Sequence, residues 1–381
     1  MNELQTLNTK LKALDSVLTE AKGHLDHPED LVFIEDLAGI NKALSAIENT
    51  ANNPNNITIK WDGYPALIFG RGPDGKFSIM DKHMFNRKDG AGRKVYSPTE
   101  FKKYDDDRGV NRGNLYDIIN RIWSGLAKED RVSNGYYWGD LLFSSPLQAT
   151  NNVYTFRPNP NGITYTVKTN SDVGKLLQNK EAGIAVHQYI KPDAISTDQA
   201  VSLDGTIGTL KNDSNVAIVP SKMPITPNLS VNSKLKKQVE QDIVTYGSSI
   251  KDLMHTAPQA RNSFNQLFTT YINKRIVAGD LSSLLDGFLE YVKARPMSEN
   301  MRNKLLEHFK VNKVGLAGAF KTWVDLYKLK MDMVKQLDSS IKNSPVTGHL
   351  QDGRESQEGY VSQNVKFIDR MGFSRQNLQG R

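Results

Sequence analysis

The spacing of apolar residues divides the chain into helical and extended parts. Near the N-terminus, leucines recur every three or four residues, which predicts amphipathic helices over 3–22 and 29–49. From about 57 to 222, short runs alternate apolar and polar residues and are separated by Gly, Pro and Asn turns. One helix, 114–127, interrupts them. The runs predict strands at ITIKW, PALIFG, KFSIM, GYYWGDLLF, VYTFRP, ITYTV, GIAVHQYI and VAIVP.

Helical spacing returns after residue 228 and continues to about 343, before an extended C-terminal stretch, QEGYVSQNVKFIDR. We therefore expect an α+β fold with mainly antiparallel strands. The expected segments are N-terminal helices (1–50), a core (51–222), an all-helical insertion (223–345) and C-terminal strands that complete the core (346–381). The helices predicted in the insertion are 232–254, 259–276, 279–295, 298–310 and 314–341.

The amino-acid composition excludes several kinds of protein and site. The chain has 381 residues, of which 38% are hydrophobic and 24% charged, as in globular proteins. No apolar run is long enough for a membrane helix, so no membrane span is expected. The chain has no cysteine. Disulfides, thiolate metal sites and cysteine nucleophiles are therefore excluded, and a reducing cytoplasm is the expected location.

The net charge of +7 is concentrated in one part of the chain. Residues 222–342 hold 19 Lys/Arg and 11 Asp/Glu, a net charge of +8, which leaves −1 for the rest. A basic helical surface is typical of phosphate-backbone binding, and an ordinary solvated helix surface fits the same pattern. The candidate nucleic-acid-binding residues are Lys234, Lys236, Lys237, Lys274 and Arg275, with Lys328 and Lys330 on the same expected surface.

Lys60 lies in an apolar alternating run, directly before Trp61-Asp62-Gly63. A lysine can attack phosphorus only as the neutral amine, and burial or nearby cations make that form accessible by lowering its pKa. The simpler interpretation is a strand that ends in an Asp-Gly turn and exposes its lysine to solvent. The chemical interpretation rests on the motif K-x-D-G, which resembles the nucleophile motif of the covalent nucleotidyltransferases, the superfamily of ATP-dependent ligases and capping enzymes.

Further elements resemble that superfamily in the expected order. The resemblance implies an antiparallel-sheet adenylation core, ATP-grasp-like in type, with ATP and Mg²⁺ as cofactors. It also implies a lysyl-AMP intermediate at Lys60 and transfer of AMP to a nucleic-acid 5′-phosphate end, with RNA favoured over DNA. The resemblance implies nucleotide contacts by Asp62, Gly63 and Lys82 and a contact of Asp140 with the ribose. It implies that Tyr154 or Phe156 stacks on the base. It further implies that Glu358 helps to organise the metal and that Lys366 contacts the α-phosphate.

The sequence departs from the superfamily pattern in several places. Asp140 stands where a glutamate is usual, and the final strand has Ile368 in place of a second lysine, with Arg370 as the nearest substitute. A rival placement uses Glu181 for the metal and Lys222 for the phosphate. These departures are also compatible with two other functions. One is a non-catalytic descendant of the superfamily that binds nucleotide or nucleic-acid ends or acts as a phage assembly factor. The other is an enzyme that transfers AMP to a protein.

Most of the chain resembles a family of uncharacterised tailed-phage proteins that carry a KWDGAPA-type motif, which implies a location in the host-cell cytoplasm.

Three further groups of residues each have two interpretations. Lys82 and Arg87 resemble a basic element that binds an incoming phosphate, and also fit an exposed hairpin. His187 is interpreted as a phosphate contact or a satisfied strand histidine. Asp105-Asp106-Asp107 is interpreted as a solvated loop in preference to a metal site.

Overall fold

The structure is a computed structural model that describes residues 26–61, 63–128, 134–158, 162–202, 215–220, 222–225, 227–341, 344–349, 353, 359–363 and 365–372. The predicted helix 3–22 lies outside these residues. The fold is α+β with mostly antiparallel strands, which confirms the predicted class.

The helices are α1 Leu31–Asn52, α2 Lys82–Phe85, α3 Pro98–Asp106, α4 Leu115–Ala127, α5 Asp172–Leu177, α6 Ser233–His255, α7 Arg261–Ala278, α8 Leu284–Ala294, α9 Glu299–Val311 and α10 Lys313–Ser340. The short helices α2, α3 and α5 were not predicted, and the other seven begin and end close to the predicted positions. Short 3₁₀ helices span Pro28–Asp30, Pro54–Asn56, Ala91–Lys94 and Thr197–Gln199.

Each predicted run of alternating residues contains a strand. The strands are β1 Thr58–Lys60, β2 Ala66–Arg71, β3 Phe77–Met80, β4 Gly135–Phe143, β5 Ala149–Thr150, β6 Val153–Phe156, β7 Thr164–Lys168, β8 Ala182–Ile190, β9 Val201–Ser202, β10 Val216–Pro220, β11 Lys222–Pro224, β12 Val346–His349, β13 Gly359–Ser362 and β14 Val365–Phe367.

The described residues fall into two compact units. The first takes its residues from Ile59–Met223 and Asn343–Glu358, and the second from Asp26–Thr58, Pro224–Lys342 and Gly359–Arg381. The predicted division of the chain into four segments stays a prediction.

Two sheets organise the first unit. One has the strand order β10-β8-β4-β2-β3, with β9 paired to β8, and the other has the order β12-β7-β6-β5. Every pair in them is antiparallel except β8 with β10. Helix α4 supplies Ile119, Ile122 and Leu126 at helical spacing to a buried core shared with Leu67 and Phe69 of β2. This core holds the central strands β2, β4 and β8 in register.

Stacked aromatic rings form the core of the second unit. Phe268 of α7 lies with its ring centre 4.8 Å from that of Phe33 in α1 and 4.7 Å from that of Phe288 in α8. Phe320 of α10 packs against Phe288 at 5.2 Å. These contacts tie four helices together through large buried surfaces, which is the main source of stability for helices in water.

A buried ionic cluster lies at the start of α1. The 3₁₀ turn Pro28–Asp30 leads into α1, close to the start of the helix predicted over 29–49. Its acids, however, bind cations from distant parts of the chain. The Lys330 ammonium lies 2.6 Å from Glu29, and the Arg370 guanidinium lies 3.1 Å from Glu29 and 2.9 Å from Asp30. The expectation that Lys330 belongs to a basic surface is therefore wrong, since it is fully buried and paired.

Candidate functional site

The turn that follows Lys60 is anchored by Trp61. The indole is buried, and its ring centre lies 4.7 Å from that of Tyr165 and 6.0 Å from that of Phe156. Lys60 ends β1, but its side chain and the whole of Asp62 lie outside the described residues. Trp61 therefore anchors the chain directly after β1, and Gly63, the next described residue, lies against β4.

Gly63 packs directly against Asp140 of β4. A methyl group on Gly63 would lie 2.5 Å from the Asp140 β-carbon and 3.0 Å from the Asp140 carbonyl carbon, closer than side chains approach. The Tyr64 N–H donates to the Leu141 carbonyl at 2.9 Å, and the Leu141 N–H donates to the Pro65 carbonyl at 3.0 Å. This pair continues the β2–β4 ladder, in which Ala66 lies opposite Asp140. The K-x-D-G turn and the Asp140 strand are thus held together by backbone contacts.

Polar and aromatic side chains gather around Asp140. The Asp140 Oδ2 lies 3.5 Å from Nε2 of His187, and the two side chains are 16% and 21% exposed. The His187 ring centre lies 5.5 Å from that of Trp138, and the Lys82 ammonium lies 5.5 Å from the Trp138 ring. The group offers a carboxylate, an imidazole, an aromatic face and an ammonium, each next to the following one. Such a set can bind hydroxyl, phosphate and base groups of a nucleotide.

His187 joins this group because of an irregularity in the sheet. Trp138 lies opposite Gln188 and Gly139 lies opposite Val186, so His187 is an extra residue at a β-bulge. Bulges redirect side chains and are common beside functional sites. Sequence analysis named His187 without a partner and did not propose Trp138 as a site residue. The two-residue period places Trp138 on the same face as Asp140 and is the signal that could have found it.

The two aromatic candidates for base stacking are both buried. Phe156 is 7% exposed, and its ring centre lies 5.7 Å from that of Phe143 and 5.8 Å from that of Tyr165. Tyr154 is also 7% exposed. The structure brings Phe156 into contact with Trp61, as part of an aromatic core. Base stacking by Phe156 or Tyr154 stays a prediction.

The proposed phosphate and metal residues near the C-terminus are only partly described. Lys366 lies in the β13–β14 hairpin, opposite Val361, and its N–H donates to the Asp26 carbonyl at 3.0 Å. Glu358 lies outside the described residues. Arg370, the expected substitute for a second lysine, is 3% exposed and takes part in the buried cluster with Glu29 and Asp30, so that expectation is wrong.

The rival placement receives mixed support. The strand that begins with Lys222, β11, is the hydrogen-bonded neighbour of β1, which ends with Lys60. Glu181, by contrast, lies four residues before Ala185, the residue opposite Asp140. Four residues of strand correspond to about 13 Å. The Glu181 carboxylate also accepts a hydrogen bond from Asn215 at 2.9 Å. The geometry therefore favours Lys222 over Glu181 as a companion of the Lys60 turn.

Carboxylates for a metal ion are few in this part of the site. Among the described residues no cluster of three His, Asp or Glu side chains could hold a metal. Asp140 contributes one carboxylate, and Mg²⁺ is usually bound by one or two carboxylates together with substrate phosphates. The described residues therefore do not form a metal centre of their own.

The basic candidates of the helical segment are partly neutralised. Lys236 forms ion pairs with Glu48 and Glu240, and Arg275 pairs with Asp280 at 2.6 Å. The Lys274 ammonium lies 5.0 Å from the Tyr291 ring, and Lys234 and Lys237 are exposed. In the part of the chain that the structure describes, no helix is long and apolar enough to cross a membrane.

Comparison with known proteins assigns the chain to a family. Residues 22–381 match the model of a family of unknown function, DUF6267, and the chain belongs to that family. No curated protein and no solved structure matches the chain.

Proposed function

We propose that the chain is an ATP-dependent covalent nucleotidyltransferase that carries AMP on Lys60 and transfers it to a nucleic-acid 5′-phosphate. The observation that carries this proposal is the packing of Gly63 against Asp140. It joins the turn after Lys60 to the acid that the superfamily resemblance assigns to the ribose. The preference for RNA and a role in phage-infected cells rest on the resemblance alone.

The proposed reaction has two steps. The neutral Lys60 amine attacks the α-phosphorus of ATP, a nitrogen–phosphorus bond forms, and the bond to the bridging oxygen breaks as pyrophosphate leaves. The amine proton passes to solvent. An oxygen of the nucleic-acid 5′-phosphate then attacks the same phosphorus, the nitrogen–phosphorus bond breaks, and Lys60 takes a proton from solvent and leaves as the amine. Added pyrophosphate reverses the first step, and this reversal can be measured without knowing the acceptor.

The residues around Asp140 supply the binding contacts in this scheme. The Asp140 carboxylate accepts hydrogen bonds from the ribose hydroxyls and is positioned by His187, 3.5 Å away. Lys82, beside Trp138, offsets negative charge on the phosphates. A free lysine has a pKa near 10.4, so attack by Lys60 also requires surroundings that favour the neutral amine.

A second function is favoured by the position of Arg370. Because its guanidinium is buried against Glu29 and Asp30, it does not replace the missing second lysine of the final strand. A descendant that lacks this cation would still bind a nucleotide or a nucleic-acid end but would not transfer AMP. Both functions require nucleotide binding near Asp140, and only the first requires a covalent step.

Exchange of labelled pyrophosphate into ATP separates the two. We expect the wild-type protein and a Lys304→Arg control, whose exposed lysine lies in α9, to catalyse exchange, and Lys60→Arg to catalyse none. Lys60→Arg keeps the charge and removes the nucleophile. Thermal stabilisation by ATP without pyrophosphate exchange would assign the second function. A folded protein that shows neither stabilisation nor exchange would overturn both functions.

A further inference from the structure

A cationic surface surrounds Tyr104 in the first unit. The guanidinium carbons of Arg87 and Arg108 lie 5.4 and 5.2 Å from the centre of the Tyr104 ring. Arg108 Nη1 also lies 2.7 Å from Nδ1 of His83. Exposed Lys88 follows Arg87 in the chain. We call these five residues, His83, Arg87, Lys88, Tyr104 and Arg108, the Tyr104 surface.

The Tyr104 surface adjoins the candidate nucleotide site. His83 lies on α2, next to Lys82 in the chain, and the Lys82 ammonium lies 5.5 Å from the Trp138 ring. Lys82 therefore belongs to the candidate site, and the residue beside it begins the cationic surface.

Carboxylates only partly balance these charges. Arg87 pairs with Asp89 at 2.9 Å, and both side chains are about half exposed. Asp105 is buried between Arg108, at 3.5 Å, and Arg112, at 3.0 Å, and Arg112 also pairs with Asp81. The interpretation of this acid as part of a solvated loop is therefore wrong. Within the described ranges no carboxylate lies within 4.0 Å of the Lys88 ammonium.

Several cations of the helical segment are likewise held by acids of the same unit, which leaves less charge for a ligand than the sequence indicates. These pairs join Lys236 to Glu48 and Glu240, Arg275 to Asp280, Lys321 to Asp242 and Asp325, Lys328 to Asp325, and Lys330 to Glu29. The excess of +8 in the sequence therefore overstates the cationic surface of this segment.

We infer that the acceptor nucleic acid is held by its phosphate backbone on the Tyr104 surface, and not on the helical segment. Guanidiniums bind phosphate through two parallel hydrogen bonds, and Tyr104 holds Arg87 and Arg108 beside one another. The choice of a nucleic acid as partner rests on the proposed function. The placement of the polyanion rests on the charges and contacts of the surface itself.

The test measures the affinity of a fluorescently labelled single-stranded RNA of about 20 nucleotides as a function of salt concentration. The variants are Lys88→Glu and Arg87→Gln/Arg108→Gln, with Lys304→Glu as an exposed control in α9 and Lys234→Glu/Lys237→Glu as the rival surface. Lys88→Glu makes no buried contact, so it reports on binding even if the double variant loses stability. Circular dichroism and thermal unfolding verify that each variant is folded.

We expect Lys88→Glu to weaken binding at low salt about fivefold, and the double variant more. We also expect each lost contact to reduce the slope of log affinity against log salt by about 0.7, the value for single strands. The control should be unchanged. Equal binding by wild type, Lys88→Glu and the double variant, or weakening only in Lys234→Glu/Lys237→Glu, would overturn the inference. Tighter binding to anionic lipid vesicles than to RNA, lost in the same variants, would also overturn it.

The RNA-binding result does not depend on whether Lys60 forms a covalent bond to a nucleotide. Loss of RNA binding in the Tyr104-surface variants, together with absence of pyrophosphate exchange in the wild type, would retain the inference and reject the proposed transfer. Pyrophosphate exchange by a wild-type protein that does not bind RNA would retain the proposed transfer and reject the inference.

Discussion

Gly63 and Asp140 approach so closely that no side chain fits between them. A β-carbon at Gly63 would come within 2.5 Å of the Asp140 β-carbon and 3.0 Å of the Leu141 carbonyl oxygen. This contact fixes the distance between Gly63 of the K-x-D-G motif and β4. The glycine of the motif therefore has a steric role in addition to its role in the turn.

Replacement of this glycine should cost stability because the added methyl group overpacks the contact. We expect Gly63→Ala to lower the free energy of unfolding by about 1–3 kcal/mol, measured by urea denaturation. In an Asp140→Gly background one of the clashing atoms is absent, so the same change should cost less. Equal costs in both backgrounds would show that the contact with Asp140 is not responsible.

Phe156 should behave as a core residue. Its ring contacts Trp61, Phe143 and Tyr165, so we expect Phe156→Ala to lower the free energy of unfolding by roughly 3–5 kcal/mol. Tyr64→Ala, at an aromatic that is 65% exposed, should cost less than about 0.5 kcal/mol. If Phe156→Ala instead weakens ATP binding and leaves stability intact, Phe156 is the base-stacking residue.

His27 should make the protein less stable at mildly acidic pH. Burial lowers the pKa of His27 well below 6.5, and Arg370, Lys330 and Lys366 lower it further. The folded state keeps His27 neutral, whereas the unfolded state binds a proton below its ordinary pKa near 6.5. The free energy of unfolding should therefore fall as the pH decreases below about 6.5, by up to about 1.4 kcal/mol per pH unit from this residue.

Urea denaturation of wild type and His27→Gln between about pH 7.5 and 5.5 tests this expectation. His308, whose pKa is also lowered by burial, acts in the same direction in both proteins, so the difference between them isolates His27. Parallel pH dependences for the two proteins would contradict the assignment.

Lys330 should be essential for the second unit. Burial alone raises the pKa of Glu29, but the charges of Lys330 and Arg370 outweigh burial and lower it. Lys330→Met leaves Glu29 with Arg370 only and should cost roughly 3–5 kcal/mol. Lys293→Met, which breaks an exposed pair with Glu290, is the control and should cost less than about 0.5 kcal/mol. Similar costs for the two variants would show that the buried pair contributes little.

The secondary structure was predictable because it depends on local spacing. Alternating runs such as GYYWGDLLF and the helix predicted over 29–49 appear within a few residues of their predicted positions. The long-range contacts were not predictable. His187 meets Asp140 only because a bulge adds one residue to β8. Lys330 and Arg370 were expected to face water or phosphate because such residues are almost never fully buried. Their pairing with Glu29 and Asp30 joins positions about three hundred residues apart in the chain.

The central claim is that Lys60 forms a covalent bond to a nucleotide. The most direct measurement incubates the protein with ATP labelled at the α-phosphate, denatures it, and maps retained label by mass spectrometry. We expect an acid-labile, alkali-stable AMP adduct on the peptide that contains Lys60, present in wild type and Lys304→Arg and absent from Lys60→Arg. Folded protein that binds ATP but retains no label, or label on another residue, would contradict it.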